Sequence, residues 1–314
     1  GAVFGPLAAA ASAGKIYELD AAGFESALGN AGTRAGALMS AQYKSMVKRM
    51  HHGMAAQAGL HGAALAAAGF VGIERVVEQE YGGMASTMLG EAAGEADLAA
   101  LSRDLGEQWA MMDIGIKRHA CLIMLHSTID ALIEQRPRID VDEVDRIVIQ
   151  VSKSVSKRTN WRLEPPGSPL GAQMNLAYAA AIALLDGAVY VDQFSPAAIA
   201  RPAVWRLMDR IEVVHSEAVD ALGTDRRFVT FVDIMLKDGS STQVVTVPPQ
   251  DREFSGQEVI DKYRGLVGGL IDTQRMVEIE DLVLRGGAGE GTSALADLLY
   301  APVPPALDLA GPSS

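Results

Sequence analysis

Residues 53–73 constrain the fold more than any other stretch, because these 21 consecutive positions carry no charge and are built almost wholly from Ala, Gly and Leu, with five glycines among them. Small side chains let helix backbones approach closely, so the run reads as the central helix of a helical block, with no face that looks solvated. It is nearly long enough to cross a bilayer. Gln57, His61 and the glycines nonetheless favour a buried helix of a soluble protein, and no membrane partner is expected.

The segments around it share that texture. Helical apolar spacing broken by Gly or Pro predicts helices over 8–16, 21–39, 54–68, 73–81 and 97–112. Beyond Lys117 the pattern changes. A helix over 121–135 is followed by a strand over 144–151, a second buried helix over 170–185, and strands over 210–215, 228–236 and 242–247. Asp238-Gly239 supplies the positive φ that a tight hairpin needs between the last two. Helix returns over 255–268, 273–284 and 293–300, with a glycine-rich loop at 286–291 and a Pro-rich end beyond Ala301 expected to fray. The fold class expected is mainly α: an all-α helical domain made of 1–115 and 255–314, plus a smaller α+β lid domain over 116–254 with an antiparallel sheet.

A formal charge of -12 argues against a nucleic-acid partner, since neutralising phosphates needs a basic surface. It does not exclude a small anion held by a few local cations. Cys121 is the only cysteine, which leaves no internal disulfide and no thiolate zinc site, and a reducing cytoplasm fits best. Gly-x-Ser-x-Gly is absent, Gly14-Lys15 lacks the phosphate-loop glycine, and 286–291 lacks dinucleotide spacing, so no nucleotide cofactor is expected.

Two basic clusters remain. Lys48-Arg49-Met50-His51-His52-Gly53 sits where a helix is predicted to begin, either as a solvated turn or as an anion site in which backbone N–H groups and cations act together. Neighbours in sequence, His51 and His52 point apart and make poor joint metal ligands. Lys117-Arg118-His119, followed by Cys121 and His126, lies at the junction of the two expected domains. His126 falls among Leu122, Ile129 and Leu132, where a core histidine and a site histidine look alike. Cys121 reads as a buried free thiol, not a nucleophile.

The run Lys48-Arg-Met-His-His-Gly-Met-Ala-Ala-Gln-Ala-Gly-Leu-His-Gly-Ala-Ala-Leu-Ala-Ala-Ala-Gly-Phe-Val-Gly resembles the signature of the MmgE/PrpD family, Lys-x-x-His-x-Gly-x-Ala-Ala leading into a small-residue helix. Glu80-Tyr-Gly-Gly, Lys117 ahead of His126, and Gln173-Met-Asn-Leu-Ala-Tyr keep that family's order and spacing. The family includes 2-methylcitrate dehydratase, cis-aconitate decarboxylase and iminodisuccinate epimerase. The resemblance therefore implies a homodimeric lyase or isomerase acting on a small di- or tricarboxylate, by proton abstraction next to a carboxylate and without metal or organic cofactor. A 2-methylcitrate dehydratase-like reaction is the leading expectation.

On that template Lys48, His51 and Lys117 are the catalytic candidates, and His52, Arg118 and His126 the substrate-binding ones. Two departures stand out. His119-Ala120 replaces the family's Tyr-Pro, and Leu122 stands where cis-aconitate decarboxylases similar to this segment have a histidine, which argues against decarboxylation. The family also carries an upstream helical segment with an Asp and His residues of the active site, so a chain starting at Gly1 is expected to be catalytically incomplete. The alternatives are a non-catalytic family member, an inactive fragment, or a helical scaffold that recognises partners through exposed apolar patches.

Overall fold

A computed structural model of the chain describes residues 1–41, 45–249, 253–286 and 290–303. The chain divides into two compact units, Gly1–Ile114 and Gly115–Ser314. The described C-terminal helices fall in the second unit, whereas the sequence pattern assigned 255–314 to the helical domain.

The first unit is built on three helices, α1 (Gly5–Ile16), α2 (Ala21–Gly32) and α3 (Val47–Ala67). Pro6 starts α1 where a missing N–H costs nothing, and the Asp20 carboxylate caps α2 by accepting from the Gly23 N–H at 2.8 Å. Glycine then sets the packing distance. A Cβ on Gly59 would lie 2.5 Å from the Pro6 carbonyl oxygen, and one on Gly62 would lie 2.9 Å from that of Ala27, so α3 meets both partners backbone to backbone. The core this leaves is made of Ala10, Ala13, Ala27, Ala31 and Ala63.

Helix α3 starts nearly two turns before the expected 54, and it is not enclosed. Ala55, Ala58, Gly59, Gly62 and Ala63 form one buried stripe, while Met50, Met54 and Leu60 are exposed. Helix α2 ends at Gly32, well short of 39. Residues 73–81 are turns, and 97–112 holds only short 3₁₀ segments, at Leu98–Leu101 and Ala110–Asp113. Arg75 at φ 48°, Asp104 at φ 57° and Gly106 at φ 89° take the left-handed conformation, which interrupts the helices that the apolar spacing favours. A short α4 (Met84–Leu89) lies between these segments.

The second unit holds a four-stranded sheet of β1 (Val144–Val151), β2 (Ile211–His215), β3 (Phe231–Leu236) and β4 (Ser241–Val245), in the order β2-β1-β3-β4. The sheet is mixed, not antiparallel as expected. β1 and β2 are parallel, with Ile147 opposite Ile211, because the chain between them crosses over through helices and re-enters the sheet from the same end. β3 and β4 form the predicted hairpin, turning at Gly239 with φ 87°.

The buried face of β1 (Val144, Ile147, Ile149, Val151) packs with two helices, α5 (His126–Gln135) and α8 (Leu176–Asp186), in one core. Two short helices, α6 (Lys153–Thr159) and α7 (Pro169–Gln173), precede α8. The predicted helix over 170–185 is thus broken in two, because the Asn175 side chain caps α8 by accepting from the Tyr178 N–H at 2.9 Å. No residue from Leu176 to Leu185 is exposed, so α8 is an enclosed helix. α9 (Pro202–Met208) leads into β2.

Three helices complete the described chain, α10 (Gly256–Val267), α11 (Thr273–Leu284) and α12 (Glu290–Tyr300). Ser255 and Glu258 form a capping box on α10, and Arg264 pairs with Glu280 on α11 through two hydrogen bonds of 2.7 and 2.8 Å. Residues 287–289 of the expected loop at 286–291 and the end from 304 onward lie outside the described residues. Among the described residues no helix is long and apolar enough to cross a membrane.

Candidate active site

Lys48, Arg49, His51 and His52 occupy the first two turns of α3 itself, not a turn ahead of it. Lys48 and His51 are half-buried, while Arg49 and His52 are exposed. One helical turn carries side chains three and four positions apart to the same side, so Lys48 shares a face with both histidines, and His51 with Ala55. His51 lines a cavity of about 440 Å³ in the first unit, with Arg34 and Gln57 as its other large polar groups and Leu38, Val47 and Met54 as apolar wall.

In the second unit the segment 117–126 crosses over the start of α5. Lys117 is exposed; its ammonium reaches the Cys121 carbonyl at 3.4 Å, and its own carbonyl accepts from the Lys262 ammonium on α10. Burial, and then the Lys117 charge, push the Lys262 pKa down. Arg118 is held by Glu258 at 3.2 Å and stacks over the Phe254 ring at 4.9 Å. Together Arg118, Phe254, Glu258 and Lys262 wall a second cavity of about 420 Å³, with Tyr190 and Gln193 opposite in the lining.

Behind this surface lies a buried imidazole pair. His119 Nε2 is hydrogen-bonded to Asp130 Oδ1 at 2.9 Å, with both side chains almost fully enclosed. Asp130 lies one turn along α5 from His126, and the two histidine rings meet edge to face with centroids 5.0 Å apart. His126 has its pKa lowered to about 3, chiefly by burial and next by His119, so its ring is neutral at ordinary pH. It also hydrogen-bonds the Cys121 carbonyl. Burial drives the Cys121 thiol far above its usual range, which leaves it protonated and a poor nucleophile.

Unmet hydrogen-bonding capacity concentrates here. Arg118 Nε, His119 Nδ1 and His126 Nε2 are all buried and have no hydrogen-bond partner among the described residues. Buried polar atoms are normally satisfied, so three unpaired nitrogens within nine residues of sequence mark a place built to receive something polar. Cations at such a place can hold a carboxylate, and a neutral imidazole nitrogen can accept a hydrogen bond. No group of three His, Cys, Asp or Glu side chains among the described residues is arranged to hold a metal ion.

Sequence reasoning placed Lys117, Arg118 and His126 in one neighbourhood, and the structure brings them together. It missed the pairing of His119 with Asp130 and the contribution of Lys262. The His126-x-x-x-Asp130 spacing was the available signal for the first, since it puts both groups on one helix face. Lys262 lies 145 positions from Lys117 and gave no sequence signal.

Comparison with known proteins agrees with the motif reading. The chain matches the MmgE/PrpD N-terminal domain over residues 1–96 and the MmgE/PrpD C-terminal domain over residues 119–285. It is similar to the cis-aconitate decarboxylase-like protein oryM of Aspergillus oryzae, 37% identical over 95% of this chain and 64% of that protein. To cis-aconitate decarboxylase of Aspergillus terreus it is 35% identical over 96% of this chain and 64% of the relative, and to the human cis-aconitate decarboxylase 26% identical over 96% and 63%. The chain therefore spans a little under two thirds of the length of the curated relatives it matches. With both family domains present in order, this chain belongs to the MmgE/PrpD family.

Proposed function

We propose that the chain forms part of a lyase acting on a small tricarboxylate, with decarboxylation of cis-aconitate or a close homologue as its reaction. The observation that carries the reading is the trio of unpaired buried nitrogens on Arg118, His119 and His126 beside Lys117, in a chain 35–37% identical to two fungal proteins named for that reaction. In such a step the C–C bond to one carboxylate breaks, carbon dioxide leaves, and the electron pair spreads into the neighbouring unsaturated carboxylate until a proton quenches it. In the second unit Lys117 and Arg118 bind carboxylate, and His126, neutral and a hydrogen-bond acceptor at Nε2, orients the substrate without supplying a proton. In the first unit Lys48 and His52 are the carboxylate contacts and His51 the acid that the family resemblance implies. The working protein is a cytoplasmic homodimer without metal or organic cofactor.

Dehydration of a 2-methylcitrate-like substrate is the second reading, favoured by Leu122. A half-buried leucine offers no proton where similar decarboxylases have a histidine. Turnover of cis-aconitate and of 2-methylcitrate by the full-length protein decides between them. Evolved carbon dioxide with a loss of about 100-fold or more in kcat/KM for Lys117→Ala and Lys48→Ala is the expected result. Native rates in both variants, or turnover of neither substrate, would sink the assignment.

A further inference from the structure

On the far end of β1 the chain builds a basic concavity that the family reading leaves unused. Its volume is about 630 Å³, within the range of small-ligand sites, and its lining carries Lys153, Lys157, Arg158 and Arg227 against one acid, Asp220. That acid is already engaged. Its two oxygens accept from His215 Nε2 at 2.6 Å and from the Lys153 backbone N–H at 2.9 Å. Among the described residues none of the four cations has a carboxylate within ion-pair distance, in a chain whose net charge is -12.

The two arginines are held in place. Arg227 Nη1 donates to the Thr224 carbonyl at 2.9 Å while its guanidinium lies 4.6 Å over the Phe228 ring, and Arg158 Nη1 donates to the Ser154 carbonyl at 3.2 Å. Ser152, which is buried, ties the two walls together by donating to the Arg227 carbonyl at 2.8 Å. Lys153 and Lys157 stand four apart on α6, a helix with no acidic residue of its own, where like charges repel instead of stabilising. An anion seated between them removes that repulsion. Positive charge crowded into one concavity, four cations against a single acid already engaged by His215 and the Lys153 N–H, is the electrostatic pattern of an anion receptor.

We propose that this concavity is a second ligand site, taking a small polyanion with two or more phosphate or carboxylate groups. The proposal does not depend on the reaction assigned above, because none of its residues belongs to the catalytic candidates. Four cations around one cavity suit a multiply charged ligand over a single chloride-like ion, and the guanidiniums give planar donors that match phosphate or carboxylate oxygens.

Calorimetric titration of the chain with pyrophosphate and, separately, with tricarballylate tests it. Saturable binding of at least one probe is expected, weakened about tenfold or more by the exposed double substitution Lys157→Glu/Arg158→Glu and by raised salt. The same affinity should survive in Lys117→Ala, and the tighter probe identifies the ligand as phosphate-like or carboxylate-like. If the charge reversal disturbs folding by circular dichroism, Lys157→Gln/Arg158→Gln reports the same loss at smaller amplitude. Binding of neither probe overturns the proposal. So does binding that disappears in Lys117→Ala but persists in the Lys157/Arg158 variants.

Discussion

Acidification should destabilise the second unit through His126, by an amount that follows from its burial. The pKa of the folded ring is pushed down from its ordinary 6.5 to about 3, because burial, and then His119, disfavour the imidazolium; Lys117 acts in the same direction and Asp130 opposes it. A histidine whose folded pKa is depressed binds its proton in the unfolded chain first. Its contribution to stability is therefore complete above about 6.5 and is lost progressively as pH falls from there toward 3. Between about pH 7.5 and pH 5 the loss comes to about 2 kcal/mol, at 1.36 kcal/mol per unit. Urea unfolding at a series of pH values, followed by the fluorescence of Trp161 and Trp205 in the same unit, measures the total. Because other groups titrate over this range, the reading rests on the difference from His126→Gln, which keeps an amide donor for the Cys121 carbonyl and cannot titrate. Wild type should lose about 2 kcal/mol more than the variant over that interval. Parallel stability curves for the two proteins would show that the ring is protonated, or solvated, in the folded state.

Gly59→Ala should destabilise the first unit by about 1–3 kcal/mol or more, since the added methyl would sit 2.4 Å from the Ala9 Cβ and 2.5 Å from both the Pro6 carbonyl oxygen and the Ala10 nitrogen. Thermal unfolding read by far-ultraviolet circular dichroism checks this, and an unchanged midpoint would contradict the close approach of α1 and α3. Cys121 should resist iodoacetamide in the folded protein at about pH 8 and react fully in urea, because burial keeps it a thiol. Labelling of the native chain at the rate of a free cysteine would refute that environment.

The parts of the fold legible in the sequence are those in which local chemistry and tertiary packing agree. β1 was readable because Val144, Ile147, Ile149 and Val151 are β-branched and are also the residues that the core buries. The hairpin was readable because Gly239 is needed for its positive φ. The parallel pairing of β1 with β2 was not readable, since it depends on where the intervening helices return the chain and not on either strand. Composition misjudged α3 in an instructive way. Ala and Gly permit close approach on every face of a helix, but in α3 only the stripe from Ala55 to Ala63 is buried, and the exposed Met50, Met54 and Leu60 look the same in sequence as buried ones. Helix α8, of similar composition, is enclosed because the sheet layer and α5 both lie against it.

The candidate site divides along the same line, and its least readable part bears most on the chemistry. Lys117 and His126 could be found from motif spacing, but spacing cannot give protonation, which depends on who surrounds the ring. Burial contributes most to that, and His119 comes next. In sequence terms it is a departure from the family's Tyr; in the structure it bonds Asp130 at 2.9 Å, sets its ring edge against His126 and is the second contributor, after burial, to the low His126 pKa. A tyrosine there would leave Asp130 facing a phenol in place of an imidazole. Residue 119 therefore adds to an effect on His126 that burial dominates. With one ring nitrogen donating to the Cys121 carbonyl, neutral His126 keeps only Nε2 as an acceptor, so in the proposed reaction the proton comes from another group.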